Sequence, residues 1–100
     1  MHRKPWLYPL LISVSLLLVI AAAHAAGDAD AGHDKARACA ACHGMDGQGR
    51  VPLAGKTAGE LEELLRDYQS GARRGQTMNA IARQLSDEDI ADLAAYYAAQ

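Results

Sequence analysis

The chain has 100 residues, enough for one small domain, and its 10 Lys and Arg against 12 Asp and Glu give a net charge of -2. This length excludes a large multidomain enzyme, and the mild acidity lacks the basic face that nucleic-acid binding needs. Half of the residues are apolar, which is too many for a disordered chain, although 21 residues are alanine and there is no Phe. Two cysteines are too few for a small domain held together by disulfides.

The first 25 residues have the pattern of an export signal. A basic start precedes an apolar run from Leu10 to Ile20, and Ala23 and Ala25 form the pair of small residues that a signal peptidase reads. We therefore expect residues 1–25 to be removed. The alternative is a retained membrane anchor, because the stretch from Leu7 to Ala26 nearly reaches the about 20 apolar residues that span a bilayer.

Removal of residues 1–25 would leave 75 residues with a thin core. Lys plus Arg falls to 8, since Arg3 and Lys4 leave, while Asp plus Glu stays at 12, so the net charge is near -4. Domains of this size often need a disulfide, a metal or another group to hold them together, and we expect a non-protein group to fill the middle. The fourteen large apolar residues are Met45, Val51, Leu53, Leu61, Leu64, Leu65, Tyr68, Met78, Ile81, Leu85, Ile90, Leu93, Tyr96 and Tyr97.

Two helices are well indicated in the second half of the chain. Thr57 and Glu60 have the S/T-x-x-E pattern of a capping box, and Gly71 is a natural terminator of the helix that follows. The second helix is predicted to begin at Ser86, where three acidic residues in the first turn interact favourably with the helix dipole. The apolar faces, each spaced i, i+3, i+4 and i+7, are Leu61, Leu64, Leu65 and Tyr68 in the first helix and Ile90, Leu93, Ala94 and Tyr97 in the second.

The remaining pattern also favours helices, and the predicted fold class is all-α. β-branched residues are scarce, and no stretch alternates apolar and polar residues for long enough to form a strand. A third helix is expected from about Asp34 to Ala41, and a short one from Asn79 to Gln84. Gly44–Lys56 and Ala72–Thr77 are expected to be loops, and Ala26–Gly32 is expected to be a flexible polar lead-in.

The run Cys39-Ala40-Ala41-Cys42-His43 is C-x-x-C-H, the attachment sequence for a c-type haem. On one helical turn, the two thiols can reach the two vinyl groups of one porphyrin and form thioethers, and His43 can turn its imidazole onto the iron. A zinc site would need four ligands in pairs, whereas His33 stands alone and is expected to be a surface residue. A thioredoxin-like dithiol would need a βαβ surround, and a disulfide across this spacing would leave His43 unexplained.

Around this motif the chain resembles the small bacterial class I c-type cytochromes, from about Gly32 to Gln100. The resemblance implies a class I cytochrome c fold over residues 33–100, with three main helices and a short one packed around one covalently attached haem c. It also implies that His and Met are the axial ligands of the iron. The shared blocks are Cys39–Gly44, Asp46–Gly49, Pro52–Gly55, Tyr68–Gly71 followed by arginine, Met78, Leu85–Ile90 and Leu93–Tyr97.

A methionine ligand has two candidates after residue 25. Met45 lies two residues after His43, on the same side of the haem, and is expected to pack or to be partly exposed. Met78 lies 35 residues after His43, in a predicted loop, and has the position that the ligand Met has in several family members. We expect His43 and Met78 to bind the iron and Cys39 and Cys42 to form the thioethers. The alternative for Met78 is a packing role.

The resemblance also implies contacts around the haem. In this family the proline after the haem-binding loop offers its carbonyl to the other ring nitrogen of the proximal histidine, so Pro52 is expected to accept a hydrogen bond from His43. The alternative is a proline that only shapes the loop. The partners of the haem propionates stay open, and the candidates are Arg50, Lys56, Arg73, Arg74 and one of Tyr68, Tyr96 and Tyr97.

The chain departs from the family at its N-terminal helix. Many members carry an aromatic residue about one helical turn before the first Cys, where this chain has Lys35 and Ala36. The contact between the first and last helices is then expected to rest on small residues meeting Ile90, Leu93 and Tyr97. We expect this helix to be less firmly held than usual.

Two bound axial ligands leave the iron no open site, which indicates outer-sphere electron transfer, and Met ligation raises the reduction potential. The resemblance implies a non-enzymatic periplasmic electron carrier whose redox partner is a dehydrogenase, an oxidase or a reductase. One alternative is the cytochrome subunit of a periplasmic dehydrogenase, such as a sulfide-oxidising flavocytochrome. Another is a haem-based sensor or peroxidase with a labile sixth ligand. An uncleaved N-terminus would place the protein at the periplasmic face of the inner membrane.

Overall fold

The structure is a computed structural model that describes residues 27–100, so the predicted signal or anchor at residues 1–25 lies outside the described residues. Five α-helices and one 3-10 turn form this part of the chain, and residues 27–100 contain no strand. The prediction of an all-α fold is confirmed. In chain order the elements are α1 (Ala29–Lys35), the 3-10 turn (Ala36–Ala38), α2 (Ala40–His43), α3 (Ala58–Ser70), α4 (Met78–Arg83) and α5 (Asp87–Ala98).

The two long helices begin where their caps predict. The Thr57 hydroxyl accepts a hydrogen bond from the Glu60 N–H at 3.1 Å, and the Glu60 carboxylate accepts one from the Thr57 N–H at 3.0 Å. Ser86 and Asp89 form the same reciprocal pair at the start of α5, with both distances 3.0 Å. Gly71 ends α3 with a φ of +85°, a left-handed conformation that favours glycine.

The N-terminal helix differs from the prediction. It begins at Ala29 and is capped by Asp28, whose carboxylate accepts hydrogen bonds from the N–H groups of Asp30 and Ala31 at 2.9 and 3.3 Å. Residues 29–32 of the expected flexible lead-in are therefore helical. The helix predicted over residues 34–41 is interrupted by the 3-10 turn, and α2 starts only after Cys39. Periodicity could not indicate α1, because this helix packs through small residues and carries no stripe of large apolar ones.

Small residues join α1 to α5, in agreement with the expectation from the sequence. Ala36 is fully buried. A Cβ on Gly32 would lie 2.0 Å from the carbonyl oxygen of Asp92 and 2.7 Å from the Cβ of Tyr96. The backbones of α1 and α5 therefore come so close at Gly32 that only glycine fits there. The expectation that α1 is less firmly held than usual stays a prediction.

A charged cluster beside this contact was not predicted. The Lys35 ammonium donates to the Asp92 carboxylate at 2.6 Å and lies 3.0 Å from the Asp89 carboxylate, and the Asp28 N–H donates to Asp92 at 2.7 Å. Asp92 is 3% exposed, and a carboxylate so buried needs such partners. The Lys35 hydrogen bond holds the pKa of Asp92 below its usual range, and Asp92 and Asp89 raise the pKa of Lys35. We call Lys35, Asp89 and Asp92 the helix clamp.

Most of the buried core residues lie on α5, and a cavity lies beside α3. Ile90, Leu93, Ala94 and Tyr97, the predicted face of α5, are at most 4% exposed. On α3 only Leu61 is buried to a similar degree, at 5%. The rest of the predicted α3 face is half-buried and lines the cavity: Leu64, Leu65 and Tyr68.

Candidate haem-binding site

The C-x-x-C-H motif lies where the 3-10 turn meets α2. Cys39 immediately precedes α2, and Cys42 and His43 are its last two residues. The His43 N–H donates to the Cys39 carbonyl at 3.0 Å, so the three residues share one helical turn, as the attachment motif requires. Both thiols are free and half-buried, and burial raises the pKa of the Cys39 thiol.

A hydrogen bond orients the His43 ring. Its Nδ1 lies 2.7 Å from the carbonyl oxygen of Val51. Because a carbonyl only accepts, we assign the proton to Nδ1, which leaves Nε2 with the lone pair that binds a metal. The Val51 N–H in turn donates to the Cys42 carbonyl at 3.1 Å, which holds this peptide segment against the motif.

The acceptor for His43 is Val51 and not Pro52, so the predicted acceptor is wrong by one residue. A proline restricts the residue before it to extended conformations, and Pro52 therefore acts on the bond through the backbone of Val51. Pro52 itself lines the cavity beside His43. The sequence placed the bond in the right loop, but the choice between adjacent carbonyls depends on how the loop folds back.

The loop after the motif folds back onto it through a glycine. The Gly49 N–H donates to the His43 carbonyl at 2.8 Å. A Cβ on Gly49 would lie 2.5 Å from the Cys42 carbonyl oxygen, too close for any other residue. The loop therefore supports the backbone that carries both a thiol and the imidazole.

Two adjacent tyrosines of α5 tie the same loop to the core. The Tyr97 hydroxyl donates to the Gly44 carbonyl at 2.9 Å, and the Tyr96 hydroxyl donates to the Met45 carbonyl at 2.7 Å. Burial raises the pKa of Tyr97 to about 12. Both tyrosines were core candidates from the sequence, but these hydrogen bonds were not predicted, although a buried hydroxyl needs a hydrogen-bond partner.

A cavity of about 310 Å³ opens between the motif and helices α3, α4 and α5. Its volume and mostly apolar lining are those of a ligand or cofactor site. Cys39, His43 and Met78 all line it. Cys42 does not, and its sulfur lies 3.5 Å from the guanidinium of Arg50 in the loop that follows α2. One cavity thus collects three of the four side chains expected to bind haem.

The two methionines of the described chain lie in different surroundings. Met45 packs against the buried core and does not line the cavity, which is the packing role expected for it. Met78 is half-buried and lines the cavity. It is the first residue of α4 and not a loop residue as predicted. Ligation of a metal by Met78 stays a prediction.

The side chain of Asn79 holds the segment that leads to Met78. Its amide donates to the carbonyls of Tyr68 and Arg73, both at 2.8 Å, and accepts from the Gly75 N–H at 2.9 Å. These bonds attach the loop at residues 71–77 to the end of α3 and so fix the start of α4. Asn79 was not predicted as a site residue, and its only signal in the sequence is an amide that can both donate and accept, directly after Met78.

The candidate propionate partners divide into two groups. Lys56 and Arg73 line the cavity, as do Tyr68 and Tyr97. The other three candidates, Arg50, Arg74 and Tyr96, do not line it.

The donor set fits a c-type haem better than a bare metal ion. Among residues 27–100 no group of three or more His, Cys, Asp and Glu side chains is placed to hold an ion. His33 is exposed and contacts Asp34 at 3.2 Å, as expected for a surface residue. One thiol, one imidazole and one thioether line a mostly apolar cavity, and the second thiol lies on the same helical turn as the first, which matches the requirements of covalent haem with His and Met ligands.

Comparison with known proteins agrees with this site. The cytochrome c family matches residues 29–98. Cytochrome c-554(548) of Halomonas halodenitrificans is 51% identical over 82 residues, which cover 75% of this chain and 99% of that protein. Cytochrome c4 of Pseudomonas aeruginosa is 46% identical over 96 residues, which cover 91% of this chain and 48% of that protein.

A solved structure, cytochrome c4 of Acidithiobacillus ferrooxidans, matches with a TM-score of 0.69 and 28% identity over 79% of this chain and 53% of that chain. The chain therefore spans about half the length of these cytochromes c4. None of the helices in residues 27–100 has the length and apolar character needed to cross a membrane. Because the family model matches nearly all of the described residues and the fold matches that of a solved cytochrome c4, the chain belongs to the cytochrome c family, as a small bacterial class I c-type cytochrome that carries haem c and exchanges electrons with redox partner proteins.

Proposed function

We propose that this protein is a periplasmic electron carrier with one covalently bound haem c. Cys39 and Cys42 form the two thioether bonds, and His43 and Met78 are the axial ligands. The observation that carries the proposal is the single apolar cavity lined by Cys39, His43 and Met78. The bound haem supplies a one-electron Fe(III)/Fe(II) couple.

The contacts of His43 support its role as the proximal ligand. The Val51 carbonyl accepts from Nδ1 at 2.7 Å, which fixes the plane of the ring and raises the basicity of Nε2. The Gly49 N–H holds the His43 carbonyl at 2.8 Å. In the folded chain, the ring and the backbone that carries it are therefore both held in the orientation that ligation of a metal needs.

The contacts of Met78 support its role as the second ligand. Met78 lines the cavity, whereas Met45 lies in the core, and the three hydrogen bonds of Asn79 define where Met78 begins α4. A thioether ligand favours ferrous iron, and an apolar lining keeps water from the site, so both raise the reduction potential. Two protein ligands leave no position for a substrate, which supports a carrier over a peroxidase or a gas sensor.

The periplasm is proposed on two grounds. Residues 1–25 have the composition of an export signal, and haem attachment to C-x-x-C-H takes place outside the cytoplasm. Cleavage gives a free periplasmic protein, and retention would hold it at the inner membrane. A free carrier purifies at the mass of one chain, whereas the cytochrome subunit of a dehydrogenase purifies with its partner, so the native mass distinguishes the two functions.

Met78→Ala beside Met45→Ala tests the ligand assignment. The oxidised protein should show a weak sulfur-to-iron charge-transfer band at the red end of the visible spectrum. Met78→Ala should abolish this band, lower the potential and allow the reduced iron to bind carbon monoxide. Met45→Ala is the matched control and should do none of these. A band that survives Met78→Ala and disappears in Met45→Ala would overturn the assignment.

Haem content and attachment are tested on the periplasmic fraction. A pyridine haemochrome assay should give one haem for each chain. Cys39→Ala and Cys42→Ala should each weaken the retention of haem during acid-acetone extraction, and the double variant should abolish it. Haem that stays with the double variant through extraction would rule out thioether attachment.

A further inference from the structure

Helix α4 is too short to keep its own position in the fold. It has six residues, well below the about 12–15 that an isolated helix needs in water. The side chain of Thr77, the residue before it, makes no capping hydrogen bond. Because Met78 is the first residue of α4, the place of this proposed ligand depends on bonds from elsewhere in the chain.

The Asn79 side chain supplies the bonds that the missing cap does not. Its Nδ2 donates to the carbonyls of Tyr68 and Arg73, both at 2.8 Å, and its Oδ1 accepts from the Gly75 N–H at 2.9 Å. Both N–H donors of the amide and its acceptor are therefore in use. One side chain thus joins the end of α3, the loop at residues 71–77 and the start of α4.

The loop at residues 71–77 is held closely where it meets Met78. All of its residues except Gly75 are exposed. A Cβ on Gly75 would lie 2.8 Å from a ring carbon of Tyr68 and 3.6 Å from the Cβ of Met78, so the loop fits tightly at this point. The N–H of this same glycine donates to Asn79. Asn79 therefore holds the loop at the residue that lies against Met78.

A different amide holds the other end of α4. Gln69 of α3 donates to the carbonyls of Ala82 and Leu85 at 3.1 and 3.0 Å. Ala82 is fully buried, so packing also fixes this end of the helix. Gln69 and Asn79 make the same kind of bond at opposite ends of one helix, and only Asn79 lies beside the proposed ligand.

We infer that Asn79 is the residue that positions Met78 for the iron and determines how firmly its sulfur stays bound. This inference rests on the proposed function, because it requires Met78 to be a ligand. When the sulfur leaves, the iron–sulfur bond breaks and the vacant position accepts another ligand. While Asn79 holds the start of α4, the backbone keeps the sulfur at a high effective concentration beside the iron, so an external ligand competes poorly.

The test is the binding of imidazole to the oxidised, haem-loaded protein, followed by the loss of the sulfur-to-iron band. Because imidazole must displace Met78, its apparent affinity rises by the factor by which the sulfur bond is weakened. Asn79→Ala should raise this affinity by about tenfold to a hundredfold, since each of the three lost hydrogen bonds is worth about twofold to tenfold in an equilibrium constant. Asn79→Ser, whose hydroxyl can keep one bond, should lie between Asn79→Ala and the wild type, and it decides the question if the alanine variant does not fold.

Gln69→Ala is the matched control, since it also removes an amide that joins α3 to α4. It should lower the free energy of unfolding and change the imidazole affinity by less than about threefold. A loss of stability in Asn79→Ala with an unchanged imidazole affinity would show that its amide is merely structural and would overturn the inference. Equal increases of the affinity in Asn79→Ala and Gln69→Ala would also overturn it, because the effect would then come from loosening α4 as a whole.

Met78→Ala separates a failure of this inference from a failure of the proposed function. It should have the highest imidazole affinity of the series. If Met78→Ala binds imidazole only as tightly as the wild type does, the proposed ligand set is wrong, and the inference with it. If Met78→Ala binds imidazole more tightly but Asn79→Ala and Asn79→Ser do not, the ligand set stands and only the role of Asn79 is refuted.

Discussion

The contact of α5 with α1 and the contact of α5 with α3 are completed in different ways. Towards α1, glycine and alanine bring the backbones together, and the helix clamp pairs the charges beside them. Towards α3, apolar side chains stop half-buried around a cavity of about 310 Å³. The first contact is made by protein alone. We propose that the haem completes the second contact.

The difference between the two contacts indicates how a fold with so small a core is stabilised. The protein contacts are closest where α1 meets α5, at the two ends of the described residues, and we propose that the part between them folds around the cofactor. A group that binds only the folded chain adds its binding free energy to the stability of the fold. The α3 and α4 region should therefore respond to loss of haem, and the α1 contact should respond to changes in size and charge.

Loss of haem is the strongest way to break the second contact. The double variant Cys39→Ala/Cys42→Ala, freed of haem, should lose most of its helicity, because the remaining apolar contacts do not offset the conformational entropy of the chain. Far-ultraviolet circular dichroism during heating measures this. A haem-free chain with near-native helicity and a cooperative melt would show that the protein contacts suffice.

Gly32→Ala is the strongest way to break the first contact. The added Cβ would lie 2.0 Å from a backbone oxygen of α5, which cannot give way without moving the helix. We expect the free energy of unfolding to fall by about 1–3 kcal/mol or more. Gly59→Ala is the control, because its Cβ would meet nothing nearer than the Thr57 hydroxyl at 4.0 Å, and it should raise stability by about 0.5–1 kcal/mol. Denaturant titration of both variants measures these changes in the free energy of unfolding. Equal changes in the two variants would contradict the close approach of α1 and α5 at Gly32.

The helix clamp should give a smaller loss with a defined pH dependence. Asp92→Asn should destabilise the fold more than Asp87→Asn, because Asp92 is buried whereas Asp87 pairs with Arg66 at the exposed surface. The pKa of Asp92 is lowered by Lys35, so its contribution is full above the unfolded value of about 3.9 and is lost as the pH falls below it. The stability gap between wild type and Asp92→Asn should narrow below about pH 4. A gap that persists at pH 2 would mean that packing, and not charge, accounts for the effect.

Tyr97→Phe should have the smallest effect of the series. It removes the hydrogen bond to the Gly44 carbonyl, which is worth about 0.5–1.5 kcal/mol at pH 7. Burial raises the pKa of Tyr97 to about 12, so the wild type should lose stability as the pH rises above the unfolded value of about 10. Denaturation at pH 7 and pH 11 should show a smaller further loss for Tyr97→Phe than for the wild type. An identical alkaline loss in both proteins would place the titrating group elsewhere.

Features with local causes could be read from the chain alone. The capping box of α3, the start of α5 after Ser86 and the glycine that ends α3 depend on neighbours within a few residues, and each was predicted correctly. The C-x-x-C-H motif is likewise local, because one helical turn brings its three side chains together. The different roles expected of the two methionines agree with their surroundings, since distance along the chain limits what Met45 can reach.

Features decided by groups far apart in sequence needed the fold. Asp28, which caps α1, is held by a hydrogen bond from its N–H to Asp92 of α5. The carbonyl that accepts from His43 depends on how the loop folds back, and it is that of Val51 and not of Pro52. The helix clamp joins residues 54 and 57 positions apart, a distance at which no pattern of spacing indicates a partner. Lys56 and Arg73 became distinct from Arg50 and Arg74 only when a shared cavity was seen to contain the first pair. Charge and hydrogen bonding act through space, and only packing determines which groups come within their reach.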